Sequence, residues 1–266
     1  MDQIQVGSLE IAYERQGDGP SLVLLHGGVS DGREWRRQLD DLSDEFDVVA
    51  WDAPGCGRSL DPPDDFLMSD YADCLAGFVG ALGLARPHVA GLSFGGTLAL
   101  ELYRRHPGVP RTLALASAYT GWAGSLPPEE VAARLEAVTR DSHLPGAEWA
   151  ERWLPTLFTD CAPAGLVDEL GAIIADFHPR GAQTMARAMA GADLRDVLPR
   201  IDAPTLLIYG DADVRSPLSV AEELHSQIPA SRLVVLQGAG HQLNMEAADQ
   251  FSSALRDFLQ ATDLSG

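Results

Sequence analysis

The sequence predicts an α/β protein in which a doubly wound, mostly parallel sheet is interrupted by a helical insertion. Short apolar runs, of which residues 22–25 and 206–209 are the clearest, have the composition of strands buried on both faces of a sheet. Helical stretches separate these runs, as in parallel βαβ units. Strand signals disappear between Tyr119 and about Arg195 and then return.

The predicted elements follow from apolar periodicity and from the turn residues between them. Residues 3–15 alternate weakly around Gly7 and predict two antiparallel edge strands. Beyond the turn at residues 17–20, the predicted strands are 22–25, 47–51, 89–90, 111–116, 203–209 and 232–236. The helices predicted between and after them are 34–42, 69–82, 97–103, 217–228 and 246–259. In the interrupting segment, helical patterns cover 128–139, 147–158, 164–177 and 181–191.

Composition and charge exclude several functional classes. The net charge of −20 argues against nucleic acid or an anionic membrane surface as a partner. All 19 basic residues are arginine, so pyridoxal, Schiff-base and P-loop chemistry that needs lysine is excluded. The three cysteines lie far apart without a metal-binding spacing, which predicts a reducing compartment and no metal. With no targeting segment or membrane span in the pattern, we expect a cytoplasmic protein, and no oligomeric state is favoured.

The stretch Gly91-Leu92-Ser93-Phe94-Gly95 follows an apolar strand and precedes an apolar helix. A serine on such a sharp strand-to-helix turn has its hydroxyl exposed, and glycines two residues before and after it leave the necessary room. The helix that starts just after Ser93 points backbone N–H groups toward a developing negative charge. This context predicts a nucleophilic serine.

A serine nucleophile needs a base, and the base needs a group that orients it. Two later predicted strands end in Gly210-Asp211-Ala212-Asp213 and in Gly240-His241. The carboxyl ends of parallel strands meet at one edge of the sheet, where α/β proteins bind ligands. His241 is therefore the predicted base, and Asp213 or Asp211 is the predicted acid.

These pieces together resemble the α/β-hydrolase superfamily over nearly the whole chain, because Ser, Asp and His occur in that order. Further matches are His26-Gly27-Gly28 and Asp52-x-Pro54-Gly55-x-Gly57-x-Ser59. The resemblance implies that Ser93 is the nucleophile, His241 the general base and Asp213 the acid. It also implies an oxyanion hole made of the N–H of Phe94 and an N–H from Gly28 or Val29.

By the same resemblance, residues 1–118 and 196–266 form the hydrolase core and residues 119–195 form a helical cap. His26 is expected to pin the oxyanion loop, and Arg58 to form a structural ion pair. A pocket between cap and core is expected to be apolar. Its predicted lining is Trp35, Phe94, Trp122, Trp153, Leu218 and Leu243.

The resemblance predicts a serine hydrolase that cleaves a small or medium carboxylic ester or lactone without a cofactor or metal. The chain is similar to enol-lactonases and small carboxylesterases. An enol-lactone carries a carboxylate, for which Arg33, Arg180 and Arg215 are candidate partners, although the charge of −20 slightly opposes anionic substrates. Two alternatives stay open: a C–C bond hydrolase with the same triad, and a receptor-like binding protein on the same fold.

Overall fold

Eight strands form one sheet within residues 2–263, the part of the chain that the computed structural model describes. In chain order they are β1 (Asp2–Val6), β2 (Leu9–Gln16), β3 (Ser21–Leu25), β4 (Asp47–Trp51), β5 (His88–Leu92), β6 (Thr112–Ala116), β7 (Thr205–Gly210) and β8 (Arg232–Leu236). They lie side by side in the order β1-β2-β4-β3-β5-β6-β7-β8. The pairs β1–β2 and β2–β4 are antiparallel and the other pairs are parallel, which confirms the predicted mostly parallel sheet.

Helices cover both faces of this sheet, as a doubly wound fold requires. In chain order they are α1 (Arg36–Leu42), α2 (Met68–Ala81), α3 (Phe94–Arg105), α4 (Trp122–Ser125), α5 (Pro128–Asp141), α6 (Gly146–Trp153), α7 (Ala164–Ala175), α8 (Pro179–Gly191), α9 (Leu218–Gln227), α10 (Leu243–Glu246) and α11 (Ala248–Asp263). The apolar side chains of α1 and α11 pack on one face, and those of α2, α3 and α9 on the other. Alternate residues of the central strands supply the two cores, since successive strand side chains point to opposite faces.

Several helix boundaries differ from the predicted ones for local reasons. The predicted helix 34–42 begins as a 3-10 turn, Gly32–Trp35, before α1. The predicted helix 147–158 ends at Trp153, and a 3-10 turn containing Pro155 follows, because proline has no N–H for the helical ladder. The last predicted helix, 246–259, begins at Ala248, after the short α10.

The segment between β6 and β7 holds α4 to α8 and packs over the carboxyl ends of the strands. Gly181, in α8, lies so close to Gly55 of the core that a Cβ on either residue would overlap the other's backbone. The division into a core and a cap at residues 118/119 and 195/196 remains a prediction. Met1 and residues 264–266, which the predicted core includes, lie outside the described residues. Within residues 2–263, no helix has both the length and the apolar character needed to span a membrane.

Candidate active site

Ser93 stands at the turn between β5 and α3 in a strained conformation. Its φ of 51° lies in the left-handed region, which a residue with a Cβ adopts only when the surroundings enforce it. The surroundings here are tight: a Cβ at Gly91 would overlap the backbone of Gly95, and a Cβ at Gly95 would overlap the carbonyl of Leu25. The half-buried Ser93 side chain lines a cavity below α5 and α8.

His241 and Asp213 form a buried pair at the edge of the same cavity. Asp213 follows β7, His241 follows β8, and Nδ1 of His241 lies 2.9 Å from Oδ2 of Asp213. Because a carboxylate only accepts, Nδ1 carries the proton and Nε2 has a free lone pair for a proton from a neighbouring hydroxyl. His241 lines the cavity together with Ser93.

Asp213 is held as an anion by four donors. Burial alone would raise the pKa of Asp213, but the charge and hydrogen bond of His241 oppose it and the resulting pKa is lowered. The hydroxyl of Ser117 donates to Oδ2 over 2.8 Å, while the N–H groups of Arg215 and Ser216 donate to Oδ1 over 2.8 and 2.9 Å. This network fixes the carboxylate in the orientation that His241 needs.

Backbone donors face the cavity from two sides. Phe94 is the first residue of α3, so its N–H lies at the positive end of the helix dipole. Across the cavity, Val29 has a φ of 58°, which is rare for a β-branched residue. In the described part of the chain, the N–H groups of Gly28 and Val29 have no acceptor, and both residues line the cavity. These groups are available to bind an oxyanion.

His26 links the loop that carries these donors to the loop that follows β4. Its Nε2 accepts the N–H of Ala53 over 2.9 Å, and its Nδ1 donates to the carbonyl of Gly27 over 2.7 Å. His26 does not line the cavity, which fits the predicted pinning role. Arg58 has no carboxylate partner within residues 2–263, so the predicted ion pair is wrong. Its backbone N–H binds Asp52 instead, over 2.9 Å.

Glu34 joins the loop of the backbone donors to the loop of His241. Its Oε1 accepts the N–H of Gly27 over 2.9 Å, and its Oε2 accepts the side-chain amide of Gln242 over 3.0 Å. The side-chain amide of Asn244 also donates to the Glu34 carbonyl over 3.0 Å. Burial raises the pKa of Glu34, and the hydrogen bonds from Gly27 and Gln242 oppose the rise. The buried carboxyl therefore fixes the spacing of two parts of the site.

Replacing Glu34 by alanine should weaken both the fold and the site. Two buried donors would lose their acceptor, and each unpaired buried group costs about 1–3 kcal/mol. We expect a lower unfolding temperature and, because the backbone donors shift, a fall in kcat of about 10- to 100-fold on an activated ester. Thermal unfolding and kcat are compared with those of Glu129→Ala, an exposed control. Glu34→Ala with wild-type stability and kcat would contradict this role.

Hydrogen bonds also join the loop that carries His241 to residues 154–159, which follow α6. Glu246 accepts the N–H of Gly240 over 2.8 Å with one carboxylate oxygen and the N–H of Thr159 over 3.0 Å with the other. The N–H of Gln242 donates to the carbonyl of Leu157 over 2.8 Å. Hydrogen bonds thereby connect the 154–159 segment to the residues on either side of His241.

The sequence matches the family described as alpha/beta hydrolase fold over residues 20–248, which is most of the chain. The chain belongs to the alpha/beta hydrolase fold family. It is 30% identical over 262 residues to a putative carbamate hydrolase, RutD, from Pseudomonas savastanoi pv. phaseolicola, covering 95% of this chain and 98% of that protein.

Two solved structures with an activity in their names are similar to this hydrolase over nearly its whole length. One is a thermophilic esterase from Thermogutta terrifontis in a malate-bound form, with a TM-score of 0.91, 29% identity and 98% coverage of both chains. The other is an enol-lactonase from Burkholderia xenovorans LB400, with a TM-score of 0.90, 26% identity, and coverage of 97% of this chain and 100% of that one.

The predicted lining of the hydrolase pocket is partly corrected. Phe94, Trp122 and Trp153 line the cavity with Ser93. Trp35 and Leu243 do not line it. Both are fully buried in the core between the sheet and helices α1 and α11, where Trp35 packs against Phe251. Leu218 is also outside the lining and packs at the edge of the other core as the first residue of α9.

Several cavity residues are absent from the sequence predictions. From the segment above the site come Arg134, Val138, Leu157, Ala182, Met185, Ala186 and Met189, and Tyr119 adds a phenol. Ser117, which donates to Asp213, follows β6 directly, and its place at the end of a parallel strand is a signal that could have identified it. Within residues 2–263, no cluster of three or more histidine, cysteine, aspartate or glutamate side chains is arranged to hold a metal ion.

Proposed function

We propose that this hydrolase cleaves a small or medium carboxylic ester or lactone through an acyl-enzyme formed on Ser93. The observation that carries the proposal is that Ser93 and the Asp213-bound His241 line one cavity with the free N–H groups of Gly28 and Val29. Nucleophile, base and oxyanion donors are the three parts that acyl transfer requires. Ser93, His241 and Asp213 are the proposed catalytic residues.

In the proposed acylation step, Nε2 of His241 takes the Ser93 hydroxyl proton as Oγ attacks the substrate carbonyl carbon. The carbonyl oxygen becomes an oxyanion, which the N–H of Phe94 and an N–H of Gly28 or Val29 stabilise. When the tetrahedral intermediate collapses, the ester C–O bond breaks and His241 protonates the leaving alkoxide. With a lactone, the leaving alcohol stays attached to the acyl group.

In the proposed deacylation step, His241 removes a proton from water as the water oxygen attacks the acyl carbon. The bond to Ser93 Oγ then breaks, Oγ regains its proton from His241, and the carboxylic acid leaves. Asp213 holds the imidazole in the tautomer with Nδ1 protonated and stabilises the imidazolium in both steps. The chain's own groups handle every proton in this cycle.

The substrate size follows from the lining of the cavity. Trp122, Trp153 and Met185 line it with bulky apolar side chains, which favours a compact acyl or cyclic substrate over a long polymer. The names of the similar structures, an esterase and an enol-lactonase, support the same bond types. The proposed substrate is therefore a small-molecule ester or lactone.

The test is hydrolysis of p-nitrophenyl esters from acetate to decanoate by the wild type and by Ser93→Ala. We expect Ser93-dependent turnover that peaks at short chains, followed by activity on a lactone panel. No turnover of any ester or lactone would contradict the proposal. In that case, cleavage of ring-cleavage diketones would identify a C–C bond hydrolase, and tight ligand binding without turnover would identify a receptor-like protein.

Carbamates are a second candidate, because the relative that is 30% identical is named a putative carbamate hydrolase. The same serine would form a carbamoyl-enzyme, which then releases carbon dioxide and an amine or ammonia after hydrolysis. Adding p-nitrophenyl N-methylcarbamate to the ester panel compares the two. A higher kcat/KM for the carbamate than for the best ester would favour this candidate.

A further inference from the structure

Two arginines stand in the wall of the cavity that holds Ser93 and His241. Arg215 lies in the loop that carries Asp213, and Arg134 belongs to α5. The rest of the lining is largely apolar or aromatic, so a guanidinium here is not explained by a generally polar surface. An arginine in such a place whose guanidinium forms no ion pair with a carboxylate favours the binding of an anion.

Arg215 has no carboxylate partner within residues 2–263, although it is half-buried. Its Nη1 donates to the hydroxyl of Thr156 over 3.0 Å, and its guanidinium lies 4.7 Å from the ring centre of Trp153. Neither contact neutralises its charge. The other arginines that lack a carboxylate partner in this part of the chain are exposed to water and are Arg58, Arg86, Arg187 and Arg232.

Arg134 is more nearly neutralised and holds the Arg215 segment in place. It forms an ion pair with Glu130 over 2.7 Å and donates to the Tyr119 hydroxyl over 3.1 Å and to the Arg215 carbonyl over 3.2 Å. The Tyr119 hydroxyl also donates to the Arg215 carbonyl. Burial lowers the pKa of Arg215, Tyr119 and the Asp213 carboxylate oppose this shift, and the positive charge of Arg134 adds to it.

Arg134 and Arg215 also line a second, shallower hollow beside the cavity. Trp122 and Trp153 contribute to both, so these four side chains separate the hollow from the space around Ser93. The other charged residues of the hollow, Asp141 and Arg152, form an ion pair with each other over 3.0 Å. The guanidinium groups of Arg134 and Arg215 locally counter the repulsion that a protein with a net charge of −20 exerts on an anionic substrate.

Resting on the serine hydrolase reaction proposed above, we propose that the ester or lactone substrate carries a carboxylate, which the Arg215 guanidinium binds while Ser93 attacks the scissile carbonyl. A planar guanidinium matches a carboxylate with two parallel hydrogen bonds. A monoanion fits a site that has one unpaired cation among apolar groups. Arg33 and Arg180, the other arginines predicted for this role, are excluded from the cavity wall and paired with aspartates.

The test compares two esters with the same five-carbon acyl chain: 4-nitrophenyl hydrogen glutarate, which ends in a carboxylate, and 4-nitrophenyl pentanoate, which ends in a methyl group. The measured quantity is the ratio of their kcat/KM values, with Ser93→Ala as the background. We expect the wild type to favour the glutarate ester and Arg215→Met to lower the ratio by about 10- to 100-fold. Arg232→Met, an exposed matched control, should keep the wild-type ratio.

A second variant and a binding measurement complete the test. Arg215→Lys, which keeps the charge but not the planar pair of donors, should recover part of the ratio. Calorimetric titration of glutarate into Ser93→Ala and into Ser93→Ala/Arg215→Met needs no hydrolysis, and the second protein should bind about 10-fold more weakly or worse. Glutarate binding that is absent or equal in both proteins would overturn the Arg215 proposal. Absence of Ser93-dependent ester hydrolysis would overturn only the proposed reaction.

Discussion

Ser93→Ala is expected to lower kcat on p-nitrophenyl butyrate by about 10⁴- to 10⁶-fold, because no other group in the cavity replaces the nucleophile. The substitution removes only the hydroxyl group. The strained turn depends on the close packing at Gly91 and Gly95 and not on the serine oxygen. The variant should therefore keep the fold and still bind substrate. The measurement is kcat together with the thermal unfolding temperature.

The matched control for this change is Ser226→Ala, which removes an exposed hydroxyl from α9 that donates to the Glu223 carbonyl. It should keep wild-type kcat and stability. A folded Ser93→Ala protein with wild-type turnover would show that the reaction uses another nucleophile, and the assignment of the elbow would then fail.

Asp213→Asn is the second large effect, with an expected fall in kcat of about 10⁴-fold. Asparagine has a single acceptor oxygen, whereas the aspartate oxygens accept from His241, Ser117, Arg215 and Ser216. An amide nitrogen opposite Nδ1 of His241 would favour the wrong tautomer, in which Nε2 carries the proton and no longer serves as a base. The substitution also removes the charge that stabilises the imidazolium.

Asp211→Asn is the matched control, because this second aspartate belongs to the same loop. Its Oδ1 accepts the N–H of Gly238, its side chain is exposed, and it does not contact His241. The change should leave kcat within a few-fold of the wild type, as is usual for surface substitutions. Equal losses in the two variants, or a larger loss in Asp211→Asn, would move the acid role away from Asp213.

The order of the elements and the ends of the strands could be predicted from the sequence, because both depend on local sequence patterns. Ser93 follows β5, Asp213 follows β7 and His241 follows β8, and parallel pairing brings these ends to one edge. The predicted helical boundaries are wrong mainly where proline or a 3-10 turn changes the ladder locally.

The lining of the cavity was less accessible, since it depends on which face of the sheet a side chain occupies. Trp35 follows Gly28 and Val29 by only a few residues, yet the turn Gly32–Trp35 directs it into the core beside α1 and α11. Ion pairs are also hard to predict from sequence. Arg33 and Arg215 each have an aspartate two residues earlier, but Arg33 pairs with Asp31, whereas Asp213 pairs with His241 and the Arg215 guanidinium has no carboxylate partner within residues 2–263. Apolar composition identifies a core residue but not the core to which it belongs.

The most direct test of the account is covalent labelling of the proposed nucleophile. A fluorophosphonate reacts with an activated serine and leaves a stable phosphonyl group on it, which peptide mass spectrometry can locate. We expect one label per chain, on Ser93, with loss of ester hydrolysis in proportion to labelling. Ser93→Ala should take no label, and labelling of Asp213→Asn should be strongly slowed. A label on another residue, or full ester hydrolysis by protein fully labelled at Ser93, would contradict the proposed mechanism.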